Sequence, residues 1–530
     1  MSDGTRVLVV GAGPVGLFLA AELRRHGMRP AVIERRASVQ PYSRAIAIQP
    51  RTLEVMAPAG LTDQLRRAGL AARRFHVVVG AHQVDTSFDT LDTPYPEVVL
   101  LPQGDTERIL TAHLIDHGVP IETGAELVSI AQDHAGVEVG VRRSGVGIEH
   151  HPYDWVIGCD GAASTVRSTV GIEWSGADLS MHFAIADVEV DWGASRDETW
   201  LFVSEAGSCA LFPLPSTPRT WRIIGDFPQH YPPEITLDTM AEMLRTRAGL
   251  SVALDRPTAL LSYSVKERIA ARYRAGRVFL AGDAAHVHSP IAGQGMNTGL
   301  QDAHNLAWKL AAAARTPSAA LLDSYEAERR PVAQQVIADT HQATLATTAR
   351  GGITQAIRSQ LFAFFTGFSA LNNAVLERAS ETSVSYRSSP VVGRRGRGST
   401  WLEAGDHVPD VPLNAAVTLH RLLGSRAHTA LLFDGGDAAR HAQLTEIAVG
   451  LGSRFGPSVQ PFVVLRAGAR PDEFPREAPY LLDAHGAIHD RLGATAGAAL
   501  IVRPDGYLGF VNAPADEGAI REHLASILEG

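Results

Sequence analysis

Three short stretches of this sequence combine acids with glycines in patterns suited to holding a large phosphorylated ligand. The first is Gly11-Ala12-Gly13-Pro14-Val15-Gly16, a G-x-G-x-x-G spacing followed by Glu34 and Arg35. In such a motif the first glycine permits a tight turn and the second lets a pyrophosphate approach the backbone. The third lets helix and strand pack closely, and the later acid accepts the hydroxyls of an adenosine ribose. The second stretch runs from Gly276 to Gly299, GRVFLAGDAAHVHSPIAGQGMNTG. Its apolar run closes on Gly282 and Asp283, and Gly293, Gly295 and Gly299 keep the following backbone bare for a flat ligand. The third is Trp155 to Gly161, a strand-like run ending in Asp160-Gly161, with Arg167 beyond it.

Elements with the right periodicity flank each motif. Arg6 to Val10 reads as a strand, Leu17 to His26 as a helix stopped by Gly27, and Ala31 to Ile33 as a second strand ending in Glu34. This is the strand, turn, helix, strand and acid order that a dinucleotide site requires. After the second glycine loop, Gln301 to Ala314 has the apolar spacing of a helix, whose N-terminus favours developing negative charge. A nicotinamide dehydrogenase has no need of a second glycine loop so far from the first. An extended FAD does, because its ribitol and isoalloxazine reach well beyond the adenine half. Asp283 suits a ribitol hydroxyl, and the helix after Gly295 suits the negative edge of reduced flavin.

Composition narrows the class. The 530 residues exceed one core and suggest three or four domains. A net charge of −9 argues against nucleic acid as the main partner. Cys159 and Cys209 are the only cysteines and form no CxxC, which matches a reducing cytoplasm. The N-terminal residues lack a signal-peptide design. The uncharged stretch from Ser359 to Leu376 carries Gln360, Asn372 and Asn373, so no membrane span is expected.

On these motifs the chain resembles the group A flavoprotein aromatic hydroxylases, p-hydroxybenzoate hydroxylase-like, in the phenol and polyketide hydroxylase branch. Ser43-Arg44-Ala45 is similar to the loop whose arginine lies beside the isoalloxazine. Pro102-Gln103 with Glu107-Arg108 is similar to the turn whose glutamine contacts FAD, and Tyr325-Glu326-Ala327-Glu328-Arg329-Arg330-Pro331 to a recurrent helix. The resemblance implies FAD contacts from Gly11, Gly13, Pro14, Val15, Gly16, Glu34 and Arg35, and from Arg44 and Gln103. It adds Asp160, Gly161 and Arg167, then Gly282, Asp283, Pro290, Gly293, Gly295, Met296 and Asn297. Arg44 and Pro290 are the residues it sets closest to the chemistry. NAD(P)H would reduce the flavin, and a C4a-hydroperoxide formed with O2 would hydroxylate an aromatic or polycyclic phenolic small molecule, such as a polyketide or antibiotic. Baeyer–Villiger oxidation, epoxidation and oxidative drug inactivation use the same scaffold, and a flavin-binding redox sensor without turnover would share it too.

The expected fold class is α/β with three domains. Residues 1–75, 98–179 and 266–395 form a Rossmann-like FAD-binding domain, and 76–97 with 180–265 an antiparallel-sheet substrate domain. Residues 396–530 form a thioredoxin-like domain without redox cysteines, structural or dimer-forming in role. The period-two runs Phe183–Val190, Thr199–Val203 and Trp221–Gly225 supply the substrate sheet, with Trp200, Phe202, Phe212 and Trp221 as its candidate lining. Ser385 to Ser399 reads as a linker. His286 and His288 have no carboxylate partner in register, so no metal is assigned. A chain cut before Ser399 is expected to keep its flavin, since no cofactor motif lies beyond it.

Overall fold

The computed structural model describes residues 4–38, 45–228, 234–348, 376–396, 400–413, 417–472, 474–475 and 478–529. Arg44 and most of the uncharged 359–376 stretch lie outside these residues. Among the described residues, no helix is long and apolar enough to cross a membrane.

The architecture is mixed α/β, as expected. A six-stranded sheet runs in the order Arg274–Ala275, Val278–Leu280, Trp155–Gly158, Arg6–Val10, Arg29–Glu34 and Ile121–Thr123. It is parallel except for its Arg274–Ala275 edge. Its strands are near-continuous apolar runs because helices cover its faces. Val7, Leu8 and Val9 are fully buried beside Val156, Ile157, Val278, Phe279 and Leu280. The helix Pro14–Arg25 starts with proline in its first turn and ends before Gly27, whose φ of +85° suits glycine.

The second sheet has eight strands and a twist in its expected pattern. It is antiparallel except where Glu198–Ser204 pairs in parallel with Arg74–Val79, which enters from a distant part of the chain. Its strands Trp174–Glu189 and Asp255–Ala270 each run 16 residues and cross the expected domain borders at 179/180 and 265/266. At its edge, His286–Val287 from the second glycine loop pairs with Arg268 and Ile269. The expected division between FAD-binding and substrate domains is thus bridged by continuous backbone and by the loop itself.

The C-terminal sheet is mixed, in the order Gly393–Gly396, Leu508–Ala513, Ala499–Val502, His428–Phe433, Val459–Leu465 and Tyr480–Leu482. Helices His441–Phe455 and Glu517–Leu528 pack on one face, consistent with a thioredoxin-like layout. The linker expectation fails in part. Gly393–Gly396 is an edge strand of this sheet, and Tyr386 is buried with its ring 4.2 Å from that of Tyr507. Glycine and arginine composition hid these anchors.

Candidate active site

Strands Arg6–Val10, Trp155–Gly158 and Val278–Leu280 are sequence-distant but adjacent, so their three acid-and-glycine loops leave the same carboxyl edge of the parallel sheet. That edge is where open α/β sheets bind ligands.

The first loop separates packing glycines from an open one. A Cβ on Gly11, whose φ is +108°, would lie 2.4 Å from the Cys159 carbonyl oxygen, and one on Gly16 would lie 2.0 Å from the Gly11 oxygen. A Cβ on Gly13 would meet nothing within 4 Å. Gly13 precedes the Pro14–Arg25 helix and gives its N-terminus no side-chain cap, leaving its first N–H groups for another acceptor. This is a surface that fits a pyrophosphate.

Glu34 stands at the end of its strand, mostly buried. Its carboxylate accepts the Ala12 N–H at 3.0 Å and both the backbone N–H (3.0 Å) and Nε (2.8 Å) of Arg36. Burial alone would raise its pKa, but these bonds from Arg36 and Ala12 hold it below the usual carboxylate value. Arg35 is exposed, and its neighbour Arg36 makes the contact instead. Gln103 begins the Gln103–Asp116 helix, its N–H on the Ala45 oxygen at 3.0 Å and its amide on Glu107 at 2.8 Å. Burial pushes the Glu107 carboxyl up, against opposing pulls from Gln103 and Arg36.

The two glycine loops lock together at Val15. A Cβ on Gly299 would sit 2.6 Å from its Cγ2, and one on Gly282, at φ +59°, would sit 2.9 Å from the same methyl. Further along the same two helices, His304 and Arg25 both bond the buried Glu22, His304 at 2.7 Å and Arg25 Nε at 2.7 Å. The first helix and the Gly295–Arg315 helix are therefore fixed to one another at two levels. Asp283, in the Gly282–Ala284 turn that follows the Val278–Leu280 strand, is exposed.

Asp302 holds the second loop from beneath. Fully buried, it accepts the Gly282 N–H at 3.1 Å, His286 Nε2 at 2.7 Å and Arg329 Nε at 2.7 Å. His286 thus has a carboxylate partner after all, one supplied by the following helix, and the pair braces the loop. His288 is half-buried, its Nδ1 on the Ser289 carbonyl at 2.9 Å, and desolvation of its ring pushes its pKa down to about 4. Other residues of the recurrent helix brace the strands around this loop. Tyr325 donates to the Leu280 oxygen at 2.8 Å, and Glu326 accepts the Tyr273 N–H at 2.8 Å. Arg330 donates to the Ala270 oxygen at 3.1 Å.

Several residues expected to touch cofactor spend their side chains on the protein. Asp160 accepts Ser164 Oγ and the N–H groups of Thr165 and Val166, so its carboxylate shapes its own loop. Arg167 ties that loop to the next by donating to the oxygens of Ala162 and Ala284, with its guanidinium 3.9 Å from the Trp174 ring centre. The Asn297 amide joins the Ala47 and Gly293 oxygens and the Gln49 N–H. Gly161 has φ +81° and an open Cβ direction. Pro290 opens a single helical turn pinned through Ser289 to Thr344 at 2.6 Å. Gly293, at φ +63°, ends that turn, and Met296 packs partly buried on the main core. The helix that follows begins at Gly295 with no side-chain cap.

The expected aromatic wall divides. Trp200, Phe202 and Trp221 lie on the sheet face packed under the helix Leu237–Ala248, in a cluster with Met240, Met243 and Leu244. Strand alternation puts Phe212 on the other face. There it packs with Phe75, Leu100 and Ala47, and Ala47 adjoins Gly293. Phe183, Ile185 and a bidentate Asp187–Arg222 pair, both bonds 2.7 Å, share that second face. Among the described residues, Glu54, His407 and His420 bring three metal-type ligand atoms within 4.8 Å of one another. Arg51 NH1 already donates there to Glu54 at 2.6 Å and meets His407 Nε2 at 2.5 Å, which opposes a cation.

Residues 4–340 match the family described as FAD binding domain. The chain belongs to this family of flavoprotein monooxygenases. It is 37% identical to 6-methylpretetramide 4-monooxygenase of Streptomyces rimosus, over 96% of this chain and 90% of that one. The structure of the anhydrotetracycline hydroxylase OxyS from Streptomyces rimosus superposes with a TM-score of 0.77 at 29% identity, covering 98% of this chain and 99% of that one. A ternary complex of aklavinone-11 hydroxylase with FAD and aklavinone gives a TM-score of 0.78 at 25% identity over the whole of both chains. The open Gly13, the uncapped helix ends and the exposed Asp283 fit the FAD that the family binds.

Sequence reading missed Asp302 and Arg36. A signal for the first existed, because Asp302, Asn305 and Lys309 recur at helical spacing along a helix whose C-terminal half is largely alanine and leucine. Its partners lie too far along the chain to be paired by spacing.

Proposed function

We propose that this protein hydroxylates a polycyclic phenolic small molecule of the polyketide type, with FAD, O2 and NAD(P)H. The observation that carries the reading is the near-complete alignment, in sequence and in fold, with enzymes named for oxidising 6-methylpretetramide, anhydrotetracycline and aklavinone. Bound FAD supplies the passage of electrons from NAD(P)H to O2 and the activated oxygen. The chain supplies position and charge. Gly11 to Gly16 and the first helix would hold the pyrophosphate, Glu34 the ribose and Asp283 the ribitol. The uncapped helix N-terminus after Gly293 would favour the negative edge of reduced flavin. The sheet face bearing Phe212 and Phe183 offers an apolar wall to a planar substrate and keeps water from the reacting ring. The internally neutralised Asp187–Arg222 pair lets that wall stay dry without a bare charge.

Asp283→Ala tests the ribitol assignment. Loss of one charge-assisted hydrogen bond, about 1.5–3 kcal/mol, is expected to weaken FAD roughly ten- to two-hundred-fold in equilibrium dialysis. Unchanged affinity would make Asp283 a turn residue only. For the reaction itself, NADPH and NADH oxidation is followed against a panel of phenols and aromatic polyketides. The expected result is stimulation confined to polycyclic phenols. Equal rates with and without every aromatic compound would leave a flavin-binding sensor as the better account.

A further inference from the structure

Glu381 lies outside every motif above, yet it is aimed into the flavin end of the Gly295–Arg315 helix. It is 3% exposed and its backbone is left-handed, with φ +60°, an uncommon conformation for a residue with a side chain. Its Oε1 lies 2.6 Å from Thr298 Oγ1, and its Oε2 accepts the Gln301 amide. Both partners sit on one face of the helix, within its first two turns. The same segment receives Gln294 Nε2 on the Arg378 oxygen at 2.9 Å and the Arg51 N–H on the Ser380 oxygen at 3.3 Å.

Proton counting sets the state of this carboxyl. The Thr298 hydroxyl has one proton and two acceptors in reach, the Gln294 oxygen at 3.1 Å and Glu381. A neutral Glu381 donating to Thr298 Oγ1 frees the Thr298 proton for Gln294, while Gln301 satisfies the other carboxyl oxygen. An ionised Glu381 makes the two acceptors compete for one proton. The charged groups facing it divide in sign: Arg329 and His286 favour the anion, and Asp302, already ionised, opposes it. The Arg51 guanidinium is committed to Glu54.

We propose that Glu381 is a positioning residue, a protonated carboxylic acid that pins the flavin-facing turns of this helix and whose ionisation weakens their support of reduced flavin. The inference rests on the FAD site proposed above. A carboxylate beside the first turns offsets the positive end of the helix, which is the charge that stabilises the anionic reduced cofactor. Burial pushes the Glu381 carboxyl up to about 7, with Thr298 pulling the other way, so the change falls near neutral pH. The folded-state value lies above the unfolded one. Its contribution to stability is therefore complete below the ordinary value of 4.5 and lost as pH rises through about 7.

The test is the midpoint potential of bound FAD, in wild type and Glu381→Gln, measured from acid to alkaline of pH about 7. The two are expected to coincide on the acid side, with the wild-type potential falling more steeply above the transition. Parallel curves throughout would overturn the proposal. Should Glu381→Gln lose FAD, Gln301→Leu serves instead. It removes a donor to the anion, so the wild-type break should move to higher pH, and an unmoved break would count against Glu381. A wild-type protein that binds no FAD would sink the underlying site reading, whereas one that binds FAD with a featureless profile would sink this proposal alone.

Discussion

Arg503→Met is expected to destabilise the protein by about 3–5 kcal/mol, the scale for removing one partner from a buried ion pair. Arg503 donates to both oxygens of Glu328, at 2.7 and 2.8 Å, and through Nε to Asp505 at 3.0 Å. Glu328 also binds Lys309 Nζ at 2.7 Å, so it would keep one cation, but Asp505 would keep only the Trp308 and Asn305 N–H groups. All four charged side chains are buried. Lys309 Nζ is bonded to Glu328, so the carboxylate left without a cation is that of Asp505. Denaturant melts would measure the loss, and a shift within about 0.5 kcal/mol, the scale of an ordinary surface change, would refute the assignment. The network also alters the expectation for a chain cut before Ser399. Asn305, Trp308 and Lys309 lie on the flavin helix, so the cut exposes charges that the C-terminal turn neutralises, and the fragment should hold FAD poorly.

Gly16→Ala should leave a protein purified without FAD. The added methyl would stand 2.0 Å from the Gly11 carbonyl oxygen and 3.2 Å from Cys159 Cβ, so the first helix must move off the sheet. Overpacking of this kind costs about 1–3 kcal/mol, and because the strain falls on the loop itself, FAD affinity should drop at least roughly tenfold. Gly13→Ala separates packing from ligand contact. Its methyl meets no protein atom and its φ of −77° is ordinary, so melting of the apoprotein should be unchanged while FAD binding weakens. Equal loss of apoprotein stability in both variants would contradict this division of roles.

Much of the site was legible because it is written in local signals. Gly11 to Gly16 and Glu34 carry their strand and helix beside them, and Asp283 follows an apolar run whose burial is obvious. Residues whose partners come from afar were not legible. Asp160 and Arg167 carry the expected residue types, but their hydrogen bonds close and join loops, which spacing could not foretell. Trp200 and Trp221 were placed in the right sheet, yet the face each takes depends on where the Leu237–Ala248 helix lies. The linker expectation over 385–399 missed the Tyr386 and Ser389 anchors because their partners, Arg329 and Glu328, are supplied by another helix.

The central claim is tested most directly by following isotopically heavy O2 into product. The holoenzyme is supplied with NADPH and a polycyclic phenol that stimulates its oxidation, and product is analysed by mass spectrometry. The account predicts one heavy oxygen atom on an aromatic carbon, with the ring skeleton intact. Label found only in hydrogen peroxide, or product oxygen drawn from water, would contradict it.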